Sequence, residues 1–503
     1  MTNSDRPIAG RVSRSAIWLI GSRLGAKAID FASLLVLAWI LTPQDFGVVA
    51  VAMTLVQIME AIFELPISQV LVRSDAISRP LLNTAFTLGA LRGLLLGGIL
   101  VLLAWPFSHI YGDARLLPLI AFLALAPSFR GLVSPKMAEF ARAIDFRRDL
   151  VIEVSSKVAG FAIAATCALL TRSYWAIAMG TVATPAMMVV ISYILAPFRP
   201  RLSLAHWPTF SSFVGWTTAA QAVTAINWQI DWLILGRVVS REQLGTFSLA
   251  SNLSGLPEQA IIKPIIRPLL SAFSLIRNDP ARLREAYLRT ATSIFAAGLP
   301  LMLGLSLLAE PAVRLALGPK WQNAWPYLEL LALTLIPPLF TSPLGPLAMA
   351  LGRTNVFLRQ SLCELCIRVP AAILGALWFG VYGVIGGRAV TSVLMSLVSA
   401  WFVRDLIGIP IIRQLLRPWR PALAGGALVL VLAALRPDLA ILNGPVLALS
   451  LIGCGFCAIA AYAATMLLTW FLSGSPSGFE SAAIGAMLSA RNSVFLRTRK
   501  RDV

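Results

Sequence analysis

Two pairs of basic residues lie within apolar segments of this chain, and each pair has a four-residue spacing. Arg23 and Lys27 stand in the first long apolar segment, and Asp30 follows three residues after Lys27. Lys263 and Arg267 repeat the spacing in a later apolar segment. On a helix, residues three or four apart share one face. Since a cation at the bilayer centre costs at least about 2.5 to 3.5 kcal/mol, such residues normally face a bundle interior or a wet cavity.

The chemistry that these four cations could perform is the binding of an anion. Arginine holds a phosphate or pyrophosphate through two parallel hydrogen bonds, and lysine adds a point charge. Outward movement of such a headgroup is favoured by an inside-negative potential, which contributes about 2.3 kcal/mol per charge per 100 mV. The four residues therefore predict a pyrophosphate-binding cavity. One alternative stays open, in which Glu60, Glu64 and Glu258 neutralise these cations in a buried structural network.

The elements that must position these residues follow from composition. Hydrophobic residues make up 58% of the 503-residue chain, charged residues make up 13%, and the mean hydropathy is +0.79. A chain with so little polar surface is expected to span a membrane many times, and we predict an all-α polytopic membrane protein. Apolar runs of spanning length, roughly 20 residues each, indicate about fourteen transmembrane helices between residues 15 and 473.

Basic residues concentrate on one side of these predicted spans, which explains the net charge of +19 without a nucleic-acid partner. With a cytoplasmic N-terminus, 25 of the 42 lysines and arginines fall in cytoplasmic segments and seven fall outside. The positive-inside rule then predicts an even number of spans, with both termini in the cytoplasm. The remaining ten lie in or at the edges of spans, where a function has to be sought.

The chain also contains an internal repeat at an offset of 198 residues. Residues 41–55 laid over 239–253 place Gly47 on Gly245, and the same offset places Trp18 on Trp216. Each half then holds six spans, so the repeat is parallel and a substrate site is expected at its interface. The predicted organisation is a cytoplasmic N-terminus (1–14), an N-terminal six-helix lobe (15–200), a C-terminal six-helix lobe (201–405), an amphipathic segment with the last two transmembrane helices (406–473), and a basic cytoplasmic tail (474–503).

Other charged residues in the spans have partners close in sequence. Glu153 precedes Lys157 by four residues, and Glu364 precedes Arg368 by four. This order favours ion pairs along a single helix, which we take as the interpretation of both pairs. Three further cations lie near span ends or beside glycine, where their side chains are predicted to reach toward the membrane surface: Arg92, Arg130 and Lys136.

No catalytic constellation stands out in the sequence. There is no nucleophile elbow, no glycine-rich phosphate loop with a lysine, and no carboxylate pair in a soluble domain. Both C-x-x-C spacings fall within predicted spans, where the closed set of four ligands that zinc requires cannot be recognised. We therefore expect a transporter rather than an enzyme, without a metal or another cofactor.

Three stretches carry a family resemblance: LTPQDFGVVAVA after the helix with Lys27, DWLILG from Asp231 to Gly236, and QLGTFSLA beyond it. Over residues 10–405 the chain resembles the polysaccharide-transport branch of the multidrug/oligosaccharidyl-lipid/polysaccharide exporter superfamily. The resemblance implies two six-helix lobes in a V, a cavity open alternately to each side, and a polyprenyl-pyrophosphate oligosaccharide as cargo. Family members commonly line the cavity with cations from the first and eighth helices, where the predicted pairs lie: Arg23, Lys27, Lys263 and Arg267.

The resemblance implies further features of the transport cycle. Coupling to a proton or sodium gradient is expected, and five carboxylates are candidates for it: Asp30, Glu60, Glu64, Asp231 and Glu258. The location implied is the bacterial cytoplasmic (inner) membrane, during assembly of exopolysaccharide, capsule or O-antigen. Membrane lipids surround the chain there, and a polysaccharide polymerase and a chain-length regulator are candidate partners.

Two other functions remain open alternatives. A cation-coupled multidrug exporter of the same superfamily would have an acidic, aromatic-lined cavity, whereas the central stripes of this chain are mostly basic. A membrane polysaccharide polymerase or ligase would carry polar catalytic residues on a long extracytoplasmic loop. None of the predicted outside loops is long enough, so a flippase for a lipid-linked oligosaccharide is the leading hypothesis.

Overall fold

The structure is a computed structural model that describes residues 25–65, 67–74, 77–142, 146–211, 215–266, 268–353, 355–442 and 444–474. These residues form helices joined by short turns, and no strand occurs among them. The predicted all-α fold is therefore confirmed for the part of the chain that the structure describes. Contacts between the helices divide it into two compact units.

The first unit combines the described residues up to Leu249 with Leu365–Val384. Its helices, the last of which continues past the unit's boundary, are α1 (25–40), α2 (Pro43–Ile62), α3 (Ile67–Arg73), α4 (Arg79–Tyr111), α5 (Leu116–Leu123), α6 (Leu125–Gly131), α7 (Met137–Arg142), α8 (Phe146–Thr171), α9 (Trp175–Leu195), α10 (Trp207–Ser211), α11 (Gly215–Val238) and α12 (Arg241–Ser254).

The second unit combines Ala250–Glu364 with the described residues from Ile385 onward. It contains a π-helix (Glu258–Ile262), a short 3₁₀-helix (Pro319–Trp321) and the α-helices α13 (Lys263–Ile266), α14 (Leu269–Leu275), α15 (Pro280–Leu307), α16 (Ala309–Leu317), α17 (Ala324–Thr334), α18 (Ile336–Thr341), α19 (Leu344–Ala350), most of α20 (Asn355–Ile407), α21 (Ile411–Leu416), α22 (Trp419–Ile441) and α23 (Gly444–Leu472). The units do not follow the predicted boundary at residue 200, since residues 201–249 group with the first unit. The two six-helix lobes therefore stay a prediction.

Nine helical segments within the described ranges are long and apolar enough to cross a membrane. One of them, α20, holds two predicted spans, because Gly380 adopts φ 59° and ψ −130° and reverses the chain there. The two limbs approach so closely that a Cβ on Gly375 or Gly383 would overlap the backbone of the other glycine. The predicted number of fourteen spans stays a prediction, since several predicted spans coincide with shorter or interrupted helices.

The most interrupted of these is the span predicted at 246–272. In place of one helix, α12 is followed by the π-helix, α13 and α14. Prolines explain the breaks, because a proline inside a helix removes one backbone hydrogen bond and clashes with the preceding turn. Pro257 comes just before the π-helix, Pro264 lies within α13, and Pro268 directly precedes α14. Lys263, one of the predicted site residues, thus lies in irregular backbone.

The predicted internal repeat is supported by a contact between α2 and the first half of α12. A Cβ on Gly47 would overlap the carbonyl oxygen of Arg241, and a Cβ on Gly245 would overlap that of Pro43. Pro43 and Arg241 differ by 198 residues, as do Gly47 and Gly245, so the two contacts are repeat equivalents. Small residues allow helix backbones to meet this closely in a membrane.

The Gly47 contact yields a first testable expectation. We expect Gly47→Ala to destabilise the protein by at least about 1 to 3 kcal/mol, because the new methyl group has no space beside the Arg241 carbonyl. The change would appear as a lower midpoint of thermal unfolding in detergent. Gly98→Ala is the control, since among the described residues its added Cβ would meet no atom within 4 Å beyond the adjacent backbone of its own helix. Equal stability of the two variants would contradict the packing described.

A charged clamp joins the turn after α4 to the start of α12. The Asp113 carboxylate accepts hydrogen bonds from Arg115 Nε at 2.9 Å and from Arg241 Nε at 3.1 Å. Arg241 also donates to the backbone carbonyls of Gly236 at 2.6 Å and Tyr111 at 3.1 Å. The guanidinium of Arg241 therefore fixes the ends of α4 and α11 to the helix that follows.

This clamp predicts an acid-sensitive contribution to stability. Burial would raise the pKa of Asp113, but the hydrogen bonds from Arg115 and Arg241 outweigh it and lower that pKa. A carboxyl with a lowered folded pKa stabilises the fold above its unfolded pKa of about 3.9 and loses that contribution as the pH falls further. The higher melting temperature of the wild type over Asp113→Asn should persist from pH 7 to about pH 5 and shrink toward pH 3. A difference in melting temperature that did not change with pH would exclude an acid-sensitive contribution from Asp113.

Candidate functional site

Asp30 on α1 is held between two lysines. Lys157 of α8 donates to both carboxylate oxygens of Asp30 at 2.6 Å. Lys27, one turn earlier on α1, lies 3.6 Å from the same carboxylate. The Lys157 side chain is 22% exposed, while those of Lys27 and Asp30 are both 41% exposed. We call these residues the Asp30 triad; with two ammonium groups for one carboxylate, it keeps one positive charge in excess.

The ion pair of Lys157 with Asp30 corrects the prediction that Lys157 pairs with Glu153. Spacing along one helix considers only residues on that helix, whereas the observed partner comes from α1. A surface ion pair four residues apart contributes only about 0.2 to 0.5 kcal/mol, so a partner on a neighbouring helix easily displaces it. Lys157 was therefore missed as a member of the candidate site.

A cavity of about 320 Å³ opens beside the Asp30 triad. Asp30, Lys157 and Arg130 line it, together with the hydroxyl-bearing side chains of Ser33 and Thr181. Sites for small ligands usually enclose about 300 to 1,000 Å³. The cavity therefore has the size and the donor groups to hold a compact anionic headgroup.

Arg130, on α6, connects this cavity to the end of α2. Its Nη1 lies 2.5 Å from both carboxylate oxygens of Glu60. Arg92 of α4 reaches the same region, donating to the carbonyls of Glu60 at 3.2 Å and Phe63 at 2.5 Å. The last carbonyls of a helix lack helical partners and attract cations. Both arginines thus bind protein groups, and the prediction that they reach toward the membrane surface stays a prediction.

A second ion pair in the first unit is almost completely buried. Asp231 on α11 is 1% exposed and lies 2.8 Å from Arg368, whose side chain is 11% exposed. This partner on another helix could not be predicted from helical spacing, and the predicted pair of Arg368 with Glu364 stays a prediction. Near it, Gln229 donates to Gln57, so polar side chains also join α11 to α2.

In the second unit, Lys263 lies 3.7 Å from Glu258, and their side chains are 44% and 38% exposed. These residues are five positions apart at the ends of the π-helix, where the Lys263 N–H donates to the Glu258 carbonyl. A π-turn brings residues i and i+5 together, a spacing that the ordinary helical period does not predict. This pairing agrees with the alternative in which Glu258 neutralises a predicted site cation.

The residues predicted for the site fall in both units and outside the described residues. Lys27 belongs to the first unit and Lys263 to the second, while Arg23 and Arg267 lie outside the described residues. A joint cavity for the two basic pairs stays a prediction. Glu64 is exposed just after α2. The other four candidate carboxylates each have a cationic partner: Asp30, Glu60, Asp231 and Glu258.

The comparisons with other sequences agree on one family. The profile described as "Polysaccharide biosynthesis protein" matches residues 36–326. Lipopolysaccharide biosynthesis protein WzxC of Escherichia coli K12 is 24% identical over 409 residues, which cover 78% of this chain and 81% of WzxC. Succinoglycan biosynthesis transport protein ExoT of Rhizobium meliloti is 26% identical over 437 residues, which cover 84% of this chain and 86% of ExoT.

Solved structures resemble the fold. A structure described as the lipid II flippase MurJ in an inward closed conformation superposes with a TM-score of 0.71 at 15% identity, covering 91% of this chain and 98% of MurJ. An inward-facing multidrug resistance transporter of the MATE family gives a TM-score of 0.58 at 14% identity, covering 76% of this chain and 94% of the transporter. At these identities the likeness shows a shared helical fold.

Proposed function

This chain belongs to the polysaccharide biosynthesis protein family, and we propose that it is a flippase for a lipid-linked oligosaccharide. The cargo is a polyprenyl-pyrophosphate oligosaccharide, moved across the bacterial cytoplasmic membrane by alternating access for surface polysaccharide assembly. The proposal draws on the match over residues 36–326, more than half of the chain, and on the name of ExoT as a transport protein. It describes a multi-pass membrane transporter rather than an enzyme.

The observation that carries the proposal is the Asp30 triad beside the cavity of about 320 Å³. A pyrophosphate would compete with Asp30 for Lys27 and Lys157, because it offers more charge and more acceptor oxygens than one carboxylate. Asp30 and Lys27 have side chains that are each 41% exposed, so neither group is enclosed by the protein. Exchange of a carboxylate for a phosphate can therefore occur without burying an unpaired charge.

Ion coupling is proposed to act through the same carboxylate. A proton or sodium ion at Asp30 would weaken its hold on Lys27 and Lys157 and leave them available to the pyrophosphate. The half-exposed Glu258 beside Lys263 could act in the same way. Asp231 is less suited, because it is 1% exposed and bound to Arg368.

The other predicted residues remain part of the proposal. Arg23, Lys263 and Arg267 are proposed to bind the pyrophosphate with Lys27, and both termini are proposed to be cytoplasmic from the distribution of basic residues. A polysaccharide polymerase and a chain-length regulator are proposed as partners that receive the cargo on the far side of the membrane.

Deletion of the gene in the bacterium that carries it tests the function. We expect a lipid-linked oligosaccharide to accumulate on the cytoplasmic leaflet and surface polymer to disappear, with both effects reversed by the gene in trans. Single repeat units accumulating on the outer leaflet would instead indicate a polymerase or ligase. Increased sensitivity to cationic drugs, with normal polymer, would indicate a multidrug exporter.

A further inference from the structure

A second basic cavity lies in the first unit and shares no lining residue with the cavity at the Asp30 triad. Its volume is about 620 Å³, and it lies among the start of α4, the segment before α7, and the end of α9. Arg79, Lys136 and Arg199 line it, and Glu139 is the one carboxylate among the described residues of the lining. Within that described lining, three cations against one anion leave an excess of two positive charges.

The described residues provide no side-chain partner for these three cations. Among the described residues, the side chains of Arg79, Lys136 and Arg199 form no hydrogen bond or ion pair with one another or with any neighbour. Arginine and lysine side chains together present many N–H donors and no acceptors. A cluster of unsatisfied cationic donors around one cavity is suited to an oxyanion with several acceptor oxygens.

The segment that carries Arg199 is fixed on α4. The N–H of Arg201 donates to Asn83 Oδ1 at 3.2 Å, and the N–H of Ser203 donates to Thr87 Oγ1 at 2.9 Å. Asn83 is buried at 8% exposure, so its amide contributes to the interior rather than to solvent. The cation at position 199 is thus held near the start of α4 by backbone contacts that involve no charge.

The segment that carries Lys136 is fixed to the end of α9. The hydroxyl of Ser134 donates to the Ala196 carbonyl at 2.9 Å, and the N–H of Ser134 donates to Ser192 Oγ at 3.1 Å. Ser134 and Ser192 are both fully buried. The cavity therefore exists between two anchored segments and does not depend on the chance position of a loop.

Apolar residues also line the cavity. Leu82 is buried and Phe198 is half-buried, and both pack in a hydrophobic cluster with Leu81 and Phe210. Tyr193 adds a phenol to the lining. Cationic, tyrosine and apolar side chains around one cavity match the chemistry of a membrane interface, where headgroup phosphates meet acyl chains.

We propose that this cavity binds the phosphate diester of an anionic membrane phospholipid. Arg79, Lys136 and Arg199 hold the phosphate oxygens, and Phe198 contacts the first methylene groups of an acyl chain. The cavity lies at one end of α4 and of α9, both of which are long and apolar enough to cross a membrane. Basic pockets between such helices are suited to anionic headgroups. The proposal requires only a membrane location and is independent of the transported cargo.

Lipid titration of the full-length protein in detergent tests the site, with native mass spectrometry to count bound lipids. The wild type should bind phosphatidylglycerol in preference to phosphatidylcholine. The loss of each cation should weaken binding about fivefold, so a triple variant should bind roughly 100-fold more weakly. The variant carries Arg79→Gln, Lys136→Gln and Arg199→Gln. The control variant has the same net charge as the triple variant, but its three substitutions are at exposed positions outside the cavity: Arg201→Gln, Arg277→Gln and Arg282→Gln.

Each outcome decides the proposal. A control that retains wild-type affinity while the triple variant loses it supports the site. Equal losses in both variants, or no preference for phosphatidylglycerol in the wild type, overturn it. If the triple variant does not remain folded, single variants replace it. Arg199→Gln alone should weaken lipid binding about fivefold, and Arg199→Lys should restore most of that binding. Failure of either result also overturns the proposal.

Two further titrations identify the source of the phosphate. If inorganic phosphate displaces phosphatidylglycerol at equal concentration, the lipid site is overturned in favour of a site for a free anion. Farnesyl pyrophosphate is the second competitor. If it displaces phosphatidylglycerol far more effectively than a second phospholipid does, the phospholipid assignment is overturned in favour of a docking site for a prenyl-linked substrate. The proposal is supported if only other anionic phospholipids displace the bound phosphatidylglycerol.

Discussion

Replacement of Lys157 with alanine is expected to slow translocation about 10- to 100-fold, because a charge-assisted hydrogen bond contributes about 1.5 to 3 kcal/mol. The Lys157 ammonium lies 2.6 Å from both Asp30 oxygens and lines the cavity that we propose for the pyrophosphate. The measurement is the initial rate at which a fluorescent polyprenyl-pyrophosphate sugar crosses the bilayer of proteoliposomes. Rates are normalised to folded protein in the membrane.

Companion variants separate binding from folding. Lys157→Arg keeps the charge and should recover most of the rate, while Glu153→Gln, one turn away on the same helix, should transport like the wild type. Asp30→Asn should alter the dependence of the rate on pH or sodium, since it removes the carboxylate that competes with the phosphate. A Lys157→Ala protein that transports at the wild-type rate would exclude the Asp30 triad from the substrate path.

The largest effect on stability is expected at the buried pair of Asp231 and Arg368. Arg368→Met should destabilise the protein by about 3 to 5 kcal/mol, because it leaves the Asp231 carboxylate buried without its cation. The double variant Asp231→Asn/Arg368→Met should be more stable than Arg368→Met alone, since no uncompensated charge remains. Reversible denaturation in mixed micelles would give both free energies of unfolding.

The same helix supplies the control for this prediction. Arg359 is exposed on α20, and Arg359→Met should change the free energy of unfolding by no more than about 0.5 kcal/mol. If Arg368→Met were equally mild, Asp231 would have to be satisfied by its other neighbours, and its pairing with Arg368 would not be structural.

The sequence predicted the fold class more reliably than the partners of the charged residues. Apolar runs indicate membrane helices because a bilayer permits few other backbone arrangements. Asp30 and Lys27 were correctly placed together, since they lie one turn apart on one helix. Lys157 was not placed with its partner, because that partner comes from another helix, and the contact of Arg368 with Asp231 was missed for the same reason. Local spacing contains no information on which helices become neighbours.

Irregular backbone was the second feature that limited prediction from the sequence. The prolines at 257, 264 and 268 account for the interrupted helix, but the local sequence does not predict the π-helix that brings Lys263 to Glu258. By contrast, the two spans predicted within residues 355–407 agree with the two limbs that reverse at Gly380. The π-helix depends on tertiary packing, which decides among backbone conformations of similar local free energy.

The contact between Gly47 and Gly245 has a consequence for how the two repeats can evolve. Each glycine faces the helix that carries the other, so a methyl group at either position forces the same two helices apart. Once one substitution has opened this gap, the second meets less resistance, and the double variant should cost less than the sum of the single ones. Such epistasis means that neither repeat can accept a side chain here without changing the constraint on its counterpart.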